Sequence, residues 1–377
     1  MEHSVKIQDV RAIGLRGGTP LGGWSEELRP DDVVHTLVVV RTDEGLTGTG
    51  SVFTNAGLVR SSLSVLEPLY RGETALEPER VSEKLRQNTF WLGRGGSITH
   101  TISGIDTALW DILGQATGQP VGRLLGGRYR ERVMPYASVL MDEPARLSDE
   151  LAKLCAEGFR AFKIGWGPFG RVSAAMDEAI VAAARQAIGP ESLLAVDAGG
   201  SDALWRGDYK WALRTATMLA SYDIAWFEEA LSPDALDDFA ALRRQAPVPI
   251  SGGEVLTRRQ AFLPYLMAGA FDIVQPDTTK VGGLSESRRI GWMAEEHGIR
   301  LIPHGWNTAV GLAADLQLAS ALPGTDLVEY RTGAPYIDEL RDGGWRLDDD
   351  GMLAIPDVPG LGIDLDQAAL ARYSDDS

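Results

Sequence analysis

Near the start of the chain apolar positions alternate with polar ones, in VKIQDVRAIGL and again in VVHTLVVVRTDEGLTGTGS. A period of two is what a half-buried strand imposes, because successive side chains point to opposite faces; the DEG interruption reads as the turn between two antiparallel runs. Helical spacing takes over in VRSSLSVLEPLYRG, PERVSEKLRQNTFW and ISGIDTALWDILGQATG, after which LLGGRY reads as a glycine stop. Together these predict an α+β domain over residues 1 to about 130.

From about residue 131 the rhythm changes. Short apolar runs end in a polar residue, and a helix-like stretch follows: VMPYASV, RAFKIGW, SLLAVDAGG, IAWFEEA, VPISGGE, FDIVQPD, RLIPHGW and TDLVEY. These eight runs recur at roughly 23 to 34 residues, the repeat of βα units. MDEAIVAAARQAIG, LWRGDYKWALRTATMLASY, DDFAALRRQA, TRRQAFLPYLMAG, LSESRRIGWMAEEHG and NTAVGLAADLQLASAL supply helices between them. Eight such units predict a closed parallel barrel over residues 131–329 rather than an open doubly wound sheet. The remaining residues, 330–377, are turn-rich and are expected to return beside the first domain.

Composition narrows the function. The chain has 377 residues and a formal net charge of −17, which argues against nonspecific nucleic-acid binding and against docking to anionic lipid. No apolar run approaches the roughly 20 residues of a membrane span. The start, MEHSVKIQDV, lacks the basic flank and apolar core of a secretory signal. Cys155 is the only cysteine, so an intrachain disulfide and a thiolate metal site are excluded; in LAKLCAEG it reads as core filler. A cytoplasmic protein is expected.

The chemistry collects where the predicted strands end, which in a barrel is the functional face. Those ends carry Lys163, Asp197, Glu228, Glu254, Asp277, His304 and Glu329. Asp197, Glu228 and Glu254 fall on three consecutive strands, and three unneutralised carboxylates that close would repel strongly. One Mg²⁺ resolves the conflict, since it takes carboxylate oxygens and leaves positions open for substrate; three unrelated rim acids are the bland alternative. His304, in LIPHGWN, follows the strand that ends at Asp277, and a neighbouring carboxylate fixes an imidazole's tautomer and raises its basicity, as a general base requires. Glu329, beyond His304 and away from the metal group, could be protonated and donate to an oxyanion, or anchor a loop. Lys163 would pair with an anionic substrate oxygen, with a structural ion pair to Asp197 as the competing view. Lys280, Trp24 (in the glycine-rich RGGTPLGGWSEEL) and Trp306 are candidates for substrate contact, and Trp166 also sits just past a strand end. His3, His35, His100 and His297 are given no role.

The order FKIG, VDAGG, WFEEA, GGE, QPDTTKVGG, PHGWNTAVGLAA and VEY resembles the mandelate racemase branch of the enolase superfamily. TDEGLTGTG and SGIDTALWDILGQATGQPVGRLLGG are similar to that family's capping domain, so the likeness spans nearly the whole chain. It implies a TIM-type (β/α)7β barrel with an N-terminal α+β capping domain completed by the C-terminal segment. It also implies that Asp197, Glu228 and Glu254 ligate Mg²⁺, that His304 and Asp277 form the acid/base dyad, and that Glu329 supports an enediolate oxygen. The family's racemases carry Lys-x-Lys on the second strand; here Lys163 matches the first lysine and Gly165 stands in place of the second. Asp197-Ala198-Gly199 also lacks the Asn or His that some members have at its third position.

With one base, the resemblance implies removal of the proton α to a carboxylate, and departure of a β-hydroxyl helped by the same histidine. That is dehydration of a 2R acid sugar to a 2-keto-3-deoxy acid by a homo-oligomer. The enzyme alternative is a racemase, epimerase or cycloisomerase using Tyr136 or a water on the second-strand side. The alternative from another class is a silent barrel that keeps metal and ligand without turnover.

Overall fold

The computed structural model describes residues 5–16, 34–202 and 205–375. The alternating runs at the start form an antiparallel sheet of β1 (Ile7–Leu15), β2 (His35–Thr42) and β3 (Thr47–Val52), in that order. Three helices cover it, α1 (Ala56–Tyr70), α2 (Pro78–Asn88) and α3 (Gly96–Thr117). Their apolar stripes meet the sheet in a core that includes Val38, Val40, Val59, Leu66, Leu85, Ile105 and Leu109. The long α3 lies almost on the backbone of β3: a Cβ built on Gly50 would stand 2.0 Å from the Gly104 carbonyl oxygen, and one on Gly48 would stand 2.1 Å from that of Ala108.

The glycine that stops α3 is not in LLGGRY. Gly118 takes the left-handed conformation at φ 65 and closes the helix, and the expected stop follows a separate short turn, α4 (Val121–Leu124). Gly118 does what a C-cap glycine does, bonding back to the last carbonyls at no Cβ cost.

All eight apolar runs become parallel strands: β4 (Arg132–Leu140), β5 (Ala161–Gly165), β6 (Leu193–Asp197), β7 (Phe227–Glu228), β8 (Ile250–Gly252), β9 (Ile273–Val274), β10 (Arg300–Leu301) and β11 (Leu327–Arg331). Seven helices alternate with them: α5 (Pro144–Glu157), α6 (Ala174–Ile188), α7 (Tyr209–Leu219), α8 (Leu236–Gln245), α9 (Arg258–Ala268), α10 (Gly283–Glu296) and α11 (Ala309–Ala321). This is a (β/α)7β barrel with a capping domain before it. Ladders run unbroken from β10 through β9 and down to β4, then to β11. Among the described residues no ladder joins β10 to β11; Thr325 Oγ1 donates to Leu301 O at 3.0 Å across that seam.

Every residue of α11 is buried, which explains why its sequence shows almost no polar face. It is packed against the cap as well as the barrel, with Thr308 Oγ1 bonded to Ser51 Oγ and Gln317 accepting from the Gly122 N–H. The last segment reaches both parts. Within it lie α12 (Pro335–Asp338), β12 (Leu353–Ala354), which pairs with β4, and α13 (Gln367–Tyr373). Leu361 donates to Asp111 of α3, and Asp375 exchanges backbone and side-chain bonds with Gly14 of β1 while its carboxylate pairs with Arg60. Among the described residues no helix is long and apolar enough to cross a membrane.

Candidate active site

The strand register brings the acids together. Gly165, Asp197 and Glu228 are the last residues of β5, β6 and β7, with Gly165 opposite Asp197 and Asp197 opposite Glu228. Glu254 follows two residues after β8, beyond a Gly253 at φ 115 that turns the chain inward. One carboxylate oxygen from each of Asp197, Glu228 and Glu254 lies within 4.8 Å of the others, and all three side chains are buried. Burial and the adjacent Glu228 charge push Asp197 up to about 8. Such a set is short of positive charge, and a hard divalent cation fits it: all donors are oxygens, and the cation would reverse that shift.

Lys163 places a cation among these acids. It is 3% exposed, and its Nζ donates to Glu228 Oε1 at 2.7 Å and lies 3.0 Å from Glu329 Oε1 and 3.7 Å from Asp197 Oδ2. Burial would lower its pKa, but Glu228 and Glu329 outweigh burial and hold it well above the usual lysine value. The other Glu228 oxygen accepts from Trp226 Nε1 and Gln275 Nε2.

The structure corrects the expected placement of Glu329. It is not remote from the acid group, because Lys163 bridges the two. Of the two readings left open for it, protonated donor and loop anchor, the geometry favours the anchor: burial alone would raise its carboxyl, yet Lys163 and His304 hold it down to about 2. As a carboxylate it accepts the Gly305 N–H at 2.8 Å, which ties down the loop carrying His304.

Asp277 and His304 form an isolated parallel bridge, and His304 Nδ1 lies 2.8 Å from Asp277 Oδ2. Asp277 also accepts from the N–H and hydroxyl of Thr279, and Lys280 Nζ stands 3.4 Å away. Burial would raise this carboxyl, but Lys280 and His304 keep it ionised and well below the usual range. An ionised carboxylate only accepts, so Nδ1 carries a proton and Nε2 is the nitrogen available for chemistry. Nε2 here lies 3.1 Å from Glu254 Oε2. Burial lowers the imidazole pKa, while Glu254 and Glu329 more than compensate and lift it to about 9.

A cavity of about 210 Å³ opens onto these groups. Lys163, Gly165, Asp197, Glu254, Lys280, His304 and Glu329 line it, with Phe53 from the cap and Ser138, Trp166 and Trp306 from the barrel rim. A larger open cleft of about 1050 Å³ lies between α5 and the C-terminal segment, but the only acid group able to hold a metal among the described residues is at the smaller one. Trp24 lies outside the described residues. Tyr136 is fully buried beneath Lys163, outside the residues that line this cavity, and burial followed by Glu329 raises its hydroxyl far above the ordinary value.

Two site residues were missed. Gln275 lies two positions before Asp277, so strand periodicity already placed both on one side. Glu229 offered no such signal: alternation turns it away from Glu228, but its φ of 45 bends it back. It is 3% exposed and accepts from the Ser201 N–H and hydroxyl.

Comparison with known proteins gives a consistent picture. Residues 31–126 match the mandelate racemase / muconate lactonizing enzyme N-terminal domain, and residues 146–369 match the enolase C-terminal domain-like family. The chain is 36% identical to D-galactarolactone cycloisomerase of Agrobacterium fabrum, over 98% of this chain and 99% of that one. It is 31% identical to arabinonate dehydratase of Saccharolobus solfataricus, over 97% and 99%. Its fold is similar to the crystal structure of 3,6-anhydro-D-galactonate cycloisomerase from Zobellia galactanivorans, with a TM-score of 0.86, 30% identity and coverage of 98% and 99%.

Proposed function

The chain belongs to the mandelate racemase / muconate lactonizing enzyme family, and from that premise we propose that it dehydrates a 2R acid sugar to a 2-keto-3-deoxy acid with His304 as its single base. The observation that carries this reading is the asymmetry of the cavity. His304 is backed by Asp277 at 2.8 Å, whereas the β5 side presents Gly165. Lys163, the only lysine on that strand, lies within 4 Å of three carboxylates, contacts that favour its ammonium form over a proton-accepting amine.

Asp197, Glu228 and Glu254 would hold a Mg²⁺ ion, whose charge would offset the second negative charge that develops on the substrate carboxylate. Glu254, if engaged by the ion, would release His304 Nε2, and His304 Nε2 is the nitrogen that takes the α-proton. Asp277 stabilises the imidazolium formed, and Lys163 offers a fixed positive charge to the developing oxyanion. The imidazolium then gives its proton to the departing 3-hydroxyl on the same face. Water leaves, His304 returns to the neutral form, and the enol product ketonises with a solvent proton at C3. Glu329 acts as a positioning residue, holding Lys163 and the Gly305 N–H.

The test is turnover of 2R acid sugars in D₂O, followed by NMR. Wild type should form the 2-keto-3-deoxy acid and leave 2S epimers without deuterium at C2. His304→Asn should lose both product and exchange while keeping its fold. Interconversion of 2R and 2S acids would replace this reading with an epimerase. The similarity to two cycloisomerases favours a second reading, in which the same base serves a substrate whose leaving oxygen belongs to a ring. Turnover of a lactone or anhydro acid in preference to the open-chain acid would select it.

A further inference from the structure

Behind the aromatic wall of the cavity lies positive charge that makes no ion pair: Asp338 and Glu329 act on Arg331 only from beyond contact distance. Arg331 ends β11 two residues beyond Glu329, so strand alternation places both on one side. It is 7% exposed, its Nη1 has no hydrogen-bond partner, and it enters no ion pair among the described residues. Its guanidinium carbon lies 4.5 Å from the Trp306 ring centroid, and Trp306 lines the cavity.

A second orphan sits nearby on the cap. His35, which opens β2, is 2% exposed with Nδ1 unpartnered. Its ring meets the edge of Phe53 at 5.0 Å, and Phe53 also lines the cavity with Lys280 Nζ 4.6 Å above it. A buried guanidinium with an unpartnered nitrogen and no carboxylate in contact costs more to keep than a fully paired one.

We propose that Arg331, with His35 beside it, recognises a second anionic group at the end of the substrate distant from the reacting carbon. The substrate is then a dicarboxylic acid sugar, an aldarate or a derivative of one, rather than an aldonate. A guanidinium pairs with a carboxylate or a phosphate alike; the small cavity favours the carboxylate. This deepens the dehydratase reading and rests on it.

The experiment compares kcat/KM for pairs that differ only at C6: galactarate against galactonate, and glucarate against gluconate, with 6-phosphogluconate as a third arm. Wild type should prefer the diacid of at least one pair by on the order of tenfold, the effect of one poorly screened charge a ring-width away. Arg331→Lys should keep most of that ratio. Arg331→Met retains the stem that packs on Trp306 and should bring the ratio close to one, whereas a purely structural arginine would lower both members of a pair in step. Preference for the aldonates, or an unchanged ratio in Arg331→Met, would overturn the proposal, and preference for 6-phosphogluconate would assign the patch to phosphate instead. If no acid sugar turns over, the dehydratase reading fails on its own. Calorimetric binding of galactarate against galactonate to wild type and Arg331→Met then still decides the charge preference.

Discussion

A methyl group at position 165 would stand 2.9 Å from Asp197 Cβ and 3.1 Å from its Oδ2. The glycine therefore does more than leave the second-lysine position empty: it gives the Asp197 carboxylate room to stand. Gly165→Ala should weaken divalent-cation binding by about 10- to 100-fold, the scale seen when groups that orient metal ligands are disturbed. Calorimetry with Mg²⁺ measures this, and unaltered affinity would mean that Asp197 shifts freely. Lys163→Met should lower kcat by about 10²- to 10³-fold, as for loss of one preorganised oxyanion partner, with a smaller change in KM. The strand-end residues were legible because each closes an apolar run. Glu229 was not, since only its left-handed backbone brings it to the acid group. Nor was the ionised state of Glu329, which depends on a lysine 166 positions away in the chain, brought near by the closing of the barrel.

At the scale of elements, the close contact of α3 with β3 explains two glycine-rich motifs. TGTG and SGID put Gly48, Gly50 and Gly104 where backbone meets backbone. Gly50→Ala drives a Cβ against the Gly104 carbonyl, which no rotamer relieves, and should destabilise the cap by about 3 kcal/mol or more. Urea unfolding would show it as a lower midpoint, and retention of the wild-type midpoint would mean that α3 slides to make room. The eight strands and six of the seven helices of the barrel were legible because turns punctuate them; α5 was marked only by LAKLCAEG near its end. The stop of α3 was not: several glycines cluster there, and only one adopts the capping conformation. The seam between β10 and β11 was also invisible, because strand pairing is a relation between distant segments and leaves no mark in either.

For the whole molecule, the cap brings two imidazoles to the barrel mouth, His35 buried and His100 half-buried. Burial, followed by Arg331, holds His35 at about 3; burial, followed by Lys280, holds His100 at about 4, with His100 Nδ1 2.6 Å from Thr54 Oγ1. An unfolded chain takes up these protons near pH 6.5, so each step down from there favours unfolding until the folded pKa is reached. His100 alone should remove roughly 2 kcal/mol between pH 6.5 and pH 5. The thermal midpoint should fall over that interval, and less in His100→Gln; equal falls would place the proton uptake elsewhere. The bonds between β1 and residues 373–375 carry a different consequence, one of timing. Gly14 leaves the ribosome early, but its partner Asp375 is made 361 residues later. At ordinary rates of synthesis that is a delay of about 20 to 70 s, during which the edge of the first strand stands unpaired and open to a neighbour or a chaperone.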